Sequence, residues 1–111
     1  MELKRVVVTG LGAITPLGNT LAETWENVVA GKSGAGPITL FDAELFKTQF
    51  ACEVKNFNAS EHFDRKEARK LDRYSQLAII AAKEAIEDSG LDFEKENLDR
   101  IGVIFSAGIG G

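Results

Sequence analysis

Arg5-Val6-Val7-Val8-Thr9-Gly10-Leu11-Gly12 sets three consecutive valines ahead of two glycines. A β-branched run of this kind reads as a strand over Arg5 to Thr9 that feeds a glycine turn. The valines leave no polar side for water, and strands apolar on both faces belong mostly to parallel sheets covered by helices above and below. Ile101-Gly102-Val103-Ile104-Phe105 repeats the pattern as a second predicted strand, followed by Ser106-Ala107-Gly108-Ile109-Gly110-Gly111. The predicted fold class is α/β.

Helical periods fill the chain between these strands. Thr20-Leu21-Ala22-Glu23 matches a capping box, and Leu21, Trp25, Val28 and Val29 recur at helical spacing until Gly31. Gly31 to Pro37 reads as a loop, with one short strand expected around Phe50 to Val54. From Arg65 to Ser89 the spacing predicts a single long helix. Leu71, Tyr74, Ala78, Ala81, Ala82, Ala85 and Ile86 lie along one side, and Gly90 is the stop. Leu77 to Ala82 is apolar around the whole circumference, as in a helix surrounded by protein. Two such strands and such a helix ask for more cover than one further helix and some loops provide. The glycine-rich end after a buried strand points the same way, so the chain is expected to be part of a larger body or to need an obligate partner.

Composition narrows the function classes. Among 111 residues, 13 Lys and Arg face 17 Asp and Glu for a net charge of −4, with 44% hydrophobic and 27% charged residues. Those are globular values, far from disordered, collagen-like or disulfide-rich chains. The acidic balance argues against nucleic acid as a partner. Cys52 stands alone and has no intramolecular disulfide partner, which fits a reducing cytoplasm. No Cys and His cluster has metal spacing. Lys4-Arg5 followed by Val6 to Ile14 imitates a signal peptide, but Thr9, Gly10 and Gly12 interrupt it and no cleavage pattern follows. Leu77 to Ala82 is far shorter than the ~20 residues of a membrane span.

Three features invite a chemical reading. After Gly10-Leu11-Gly12, the third glycine of a dinucleotide fingerprint would fall at Thr15, so the motif fails and tight turns remain as its plain explanation. Cys52, in the strand-like Phe50-Ala51-Cys52-Glu53-Val54, reads as a small buried hydrophobe. The only histidine, His62, sits in a polar stretch typical of a helix start, so no nucleophile and base pair is evident. The third feature is basic. If Arg65 to Ser89 is one helix, then at about 100° per residue Arg65, Lys66, Arg69, Lys70 and Arg73 fall within an arc of about 140°. Such a face either attracts an acidic partner or is simply solvated, with Asp72 beside it offsetting part of the charge.

Taken together, four segments resemble one family, the β-ketoacyl-acyl carrier protein synthases. They are Arg5 to Gly12 with Thr15-Pro16-Leu17-Gly18-Asn19, Arg65-Lys66-Glu67 to Asp72, Asp88-Ser89-Gly90-Leu91, and Arg100-Ile101-Gly102 to Gly111. Ile109 is like the elongating type within the family, whereas Ser106-Ala107 departs from the commoner Gly-Ser. The resemblance implies a thiolase-like αβαβα layered fold, of which residues 1–111 are an incomplete N-terminal portion. It implies fatty acid elongation by decarboxylative Claisen condensation of an acyl thioester with malonyl-acyl carrier protein, in a cytoplasmic homodimer. No cofactor is implied, because the substrates ride on the phosphopantetheine arm of acyl carrier protein. A Cys nucleophile and two His belong to later sequence, so no catalytic residue is expected here and the segment alone is expected to be inactive. Two roles carry over by position: Lys66, Arg69 and Lys70 align with the residues on which acidic carrier protein docks, and Ile109 aligns with the gate of the acyl pocket. Plain core packing is the alternative for Ile109. A polyketide ketosynthase or its chain-length-factor partner shares the same beginning, and a self-contained carrier-protein-binding module without catalysis is the alternative from another class.

Overall fold

The computed structural model describes Met1–Gly111. In chain order it contains α1 (Leu21–Val29), β1 (Gly36–Pro37), β2 (Phe50–Ala51), a 3-10 turn (Ala59–Glu61), α2 (Arg65–Ala68), α3 (Arg73–Ser89) and a second 3-10 turn (Leu98–Arg100). β1 and β2 form the one sheet, antiparallel, with Gly36 opposite Ala51 and Pro37 opposite Phe50.

α1 begins where the sequence places it. Thr20 is the N-cap and its hydroxyl accepts from the Glu23 amide at 3.2 Å. Glu23 reaches back one residue beyond the usual partner, accepting from the Asn19 amide at 2.9 Å. Upstream, Thr15 and Gly18 exchange two backbone hydrogen bonds in a tight turn over Pro16 and Leu17. The cap leads into a helix whose apolar side is open, with Trp25 66% exposed.

α3 organises the rest. Gly90 ends it in the left-handed conformation (φ 67°), which glycine adopts without a Cβ penalty. Leu77 to Ala82 is half-buried on every side, as its all-round apolar pattern predicts. Along the C-terminal half of α3 runs the segment from Gly10 to Ala13, held by acidic side chains. Asp88 accepts from the Leu11 amide, and Glu84 accepts from the amides of Ala13 and Leu21, each at 2.9 Å. Two residues of extended chain advance about 6.7 Å and one helical turn of four residues about 6 Å, so amides 11 and 13 match carboxylates 88 and 84. The two run in opposite directions.

Such proximity needs glycine. A Cβ on Gly12 would overlap the Ala81 carbonyl oxygen and lie 2.7 Å from the Ala85 nitrogen, and one on Gly10 would lie 2.5 Å from the Ser89 nitrogen. Neither glycine has a positive φ, so the pair serves close approach to α3 and not the glycine turn that the sequence suggests.

Three further expectations are corrected. Neither Arg5 to Thr9 nor Ile101 to Phe105 is a strand: residues 1–14 and 102–111 make no backbone-to-backbone hydrogen bond. Their β-branched residues lack a neighbouring strand to pair with, and Val6 and Ile104 are 87% and 97% exposed. The strand expected over Phe50 to Val54 pairs only at Phe50 and Ala51. Opposite it, Pro37 has no N–H to donate, and Glu53 turns its carboxylate toward Thr39. Finally, the predicted long helix is two, broken where Asp72 adopts an extended backbone (ψ 156°) as the N-cap of α3.

Openness extends to the whole chain. A self-contained protein of 12.0 kDa has about 6,000 Å² of accessible surface and, at this length, a radius of gyration of about 13 Å. Here the values are 9403 Å² and 17.3 Å. No helix is long and apolar enough to cross a membrane.

Gly12→Ala is expected to cost at least the ~1–3 kcal/mol of an overpacked site, read as a lower thermal unfolding midpoint. Gly36→Ala, where a Cβ meets nothing within 4 Å, should leave that midpoint nearly unchanged.

Candidate functional site

α2 is four residues long and starts at Asp64, whose carboxylate accepts from the Glu67 amide at 2.8 Å. Its last turn tightens into Arg69 and Lys70, where the Lys70 amide donates to the Glu67 carbonyl at 3.0 Å. This short coil brings Arg65, Lys66, Arg69 and Lys70 around one shallow cleft of about 480 Å³, and no other residue lines it. All four are exposed. None is within ion-pair distance of a carboxylate, since the one salt bridge in the chain joins Lys95 and Asp92 at 3.3 Å. Four unpaired cations on a chain of net charge −4 form a local positive field opposite in sign to the rest of the molecule. The cleft suits an anionic partner.

The fifth cation of the predicted arc lies elsewhere, because the break before α3 turns it away. The Arg73 guanidinium donates to the Val54 carbonyl at 3.1 Å and sits 5.5 Å from the centre of the Phe57 ring. It joins the bend to the β2 side of the molecule. Nearby, Glu53 accepts from the Thr39 hydroxyl at 2.7 Å and from the Thr39 and Leu40 amides. The Thr39 hydroxyl, then its amide, hold the Glu53 carboxyl below its ordinary value of 4.5, and Arg73 adds a smaller push in the same direction.

Gln76 is the residue that the sequence reading passed over. It is the one polar side chain the structure buries, at 8% exposure. Its amide nitrogen donates to the carbonyls of Ala68 at 3.0 Å and Leu71 at 3.3 Å, on either side of Arg69 and Lys70. Under a single-helix phase it falls on the basic side and looks solvated. The available signal was Asp72, a residue type favoured at helix starts; its extended backbone (ψ 156°), with no capping hydrogen bond from its side chain, is where the phase of α3 restarts.

Lys66, Arg69 and Lys70 are thus brought together, with Arg65 as a fourth member. Ile109 is not part of this group. It is 94% exposed, which contradicts core packing, and it lines neither the cation cleft nor the cavity of about 380 Å³ between Gly12–Ile14, α3 and Phe105. Its neighbour Gly110 does lie close to α3, where a Cβ would sit 3.1 Å from the Tyr74 ring. Cys52, expected to be buried, is exposed because the β2 pairing ends one residue before it. His62 stacks on Phe57, with ring centres 5.5 Å apart and planes 8° from parallel.

Comparison with known proteins decides the family. Residues 3–111 match the family described as beta-ketoacyl synthase, N-terminal domain. The chain belongs to that family. It is 50% identical over 108 residues to 3-oxoacyl-[acyl-carrier-protein] synthase 2 of Staphylococcus aureus (strain COL), which covers 97% of this chain and 26% of the relative. A protein of the same description from Synechocystis sp. is 50% identical over 111 residues, 100% of this chain and 27% of that relative. The chain therefore spans about a quarter of the length of the curated relatives it matches. Among solved structures, the ishigamide ketosynthase/chain length factor aligns with a TM-score of 0.67 and 38% identity, covering 79% of this chain and 22% of that one. Over that alignment the chain shares the fold of that structure.

Thr39→Val removes the strongest donor to Glu53 and is expected to raise that carboxyl's pKa toward 4.5, measured by carbon-13 NMR titration. A carboxyl held low in the fold adds stability above its ordinary value and loses it as pH falls through the lowered one. The variant should therefore be less stable than the parent at neutral pH, and the difference should vanish in strong acid.

Proposed function

We propose that this β-ketoacyl synthase chain is the opening portion of a synthase that extends acyl chains in fatty acid synthesis. The reaction is decarboxylative Claisen condensation of an acyl thioester with malonyl-acyl carrier protein. The observation that carries the reading is the 50% identity, maintained over 97–100% of this chain, to proteins described as 3-oxoacyl-[acyl-carrier-protein] synthase 2. A polyketide reading draws on the ishigamide ketosynthase/chain length factor, but the identity there is 38%, which favours the fatty acid branch.

Within such an enzyme these residues contribute binding. An acyl carrier protein presents acidic side chains and carries its thioester on a phosphopantetheine arm, so no further cofactor is required of this chain. Lys66, Arg69 and Lys70 are the docking residues, and Arg65 lines the same cleft. Four unpaired cations raise the rate of encounter with an acidic partner and set its register, effects that weaken with salt. The condensing thiolate and its histidines belong to the remaining three quarters of the protein, and the segment alone is inactive.

The layered αβαβα body is part of the same proposal. Val6 to Val8 and Val103 to Phe105 enter sheets formed with later sequence, a second subunit completes a homodimer, and Ile109 gates the acyl pocket in that assembly. A cytoplasmic setting fits the lone, exposed Cys52 thiol.

Reversing Lys66 and Arg69 to Glu in the full-length enzyme is expected to raise the Kd for acyl carrier protein about tenfold or more, one or two ion pairs' worth. Isothermal titration at low salt measures it; an unchanged Kd there removes the docking assignment. Ile109→Ala is expected to broaden the range of accepted acyl primers, read as kcat/KM across a series of primer lengths. Identical values along the series would leave Ile109 without a gating role.

A further inference from the structure

We infer that Gln76 is a positioning residue for the four-cation cleft, fixing the spacing at which Arg65, Lys66, Arg69 and Lys70 meet an acidic carrier protein. The inference rests on the docking function proposed above. A helix of four residues is far too short to hold itself in water, so the shape of α2 is imposed from its ends. Asp64 fixes the start. At the other end, the two N–H groups of the Gln76 amide take the carbonyls of Ala68 and Leu71. Those two residues bracket Arg69 and Lys70, so one planar amide pins the backbone on both sides of two of the cations.

The pin opposes a definite force. Four like charges around one cleft repel one another, and long basic side chains on a loose backbone splay apart. Burial makes Gln76 effective against this, because its hydrogen bonds face little competition from water at 8% exposure. α3 anchors the amide from behind: the Gln76 backbone N–H donates to the Asp72 carbonyl at 3.0 Å, and Arg73 ties the same turn to Val54. The cations are therefore gathered before a partner arrives, and ordering them adds little to the cost of binding.

Gln76→Met in the full-length enzyme keeps the side chain's length and removes both donors. With two hydrogen bonds lost, the KM for malonyl-acyl carrier protein is expected to rise about fivefold with kcat held. The slope of log KM against log salt concentration should also flatten, because fewer cations engage at once. Gln76→Asn withdraws the amide by one methylene and should give an intermediate KM; it carries the test if Gln76→Met does not accumulate as folded protein. Loss of kcat together with a lower melting temperature and an unaltered salt slope would mark Gln76 as merely structural and overturn the inference. Unchanged KM and slope in both variants, while the Lys66 and Arg69 reversal still weakens binding, would overturn it and leave the docking surface standing. If the reversal itself changes nothing, the docking function fails and the role of Gln76 fails with it.

Discussion

The fold depends on how closely the segment after the three valines approaches α3. Gly10 and Gly12 bring backbone against backbone, and the amides this leaves without a sheet partner are taken by Glu84 and Asp88. Charged acceptors make stronger hydrogen bonds than carbonyls do, most of all where, as at the half-buried Ala13–Glu84 bond, water competes less than at the exposed Leu11–Asp88 bond. Glu84 then does a second task by accepting from Leu21, the first residue of α1. One carboxylate so places both the N-terminal segment and the first helix on the same stretch of α3. The spacing of the two acidic residues, one helical turn apart, is what allows an extended chain to lie along a helix with its polar groups satisfied.

The sequence made local elements legible where local chemistry determines them. The Thr20 cap, the end of α1 at Val29, the Gly90 stop and the circumferential apolarity of Leu77 to Ala82 all follow from residue types within one or two turns. Elements that depend on distant partners were legible only as propensities. Val6 to Val8 have every preference of a buried strand, yet a strand exists only when another lies beside it, and these 111 residues supply none. The same distinction explains the glycines at 10 and 12. Their requirement comes from Ala81, Ala85 and Ser89, about seventy to eighty positions away, which no local motif encodes.

The candidate site divides along similar lines. Lys66, Arg69 and Lys70 were visible because charge is a property of single residues, and their proximity survives the helix break because all lie before it. Arg73 was misplaced because its direction depends on the phase of α3, and that phase restarts at the extended backbone of Asp72 instead of continuing from α2. Gln76 was invisible for the same reason, as its burial and its two carbonyl partners arise only once the chain has bent. Ile109 shows the opposite limit. Its bulk between glycines is plain in the sequence, but a gate needs a pocket, and the pocket wall is not made by the residues around it.

These arrangements meet in one helix. α3 has 17 residues, about 25 Å of continuous hydrogen-bonded rod. Its first turns hold the cation cleft through Gln76 and the β2 side through Arg73, while its last turns hold the N-terminal segment through Glu84 and Asp88. An α-helix stretches little, so the distance between the cation cleft and the Gly10–Ala13 segment is fixed by the rod that carries both. That rigidity has a structural signature: α3 is the one element whose middle is partly covered on every side, even though the chain as a whole buries little.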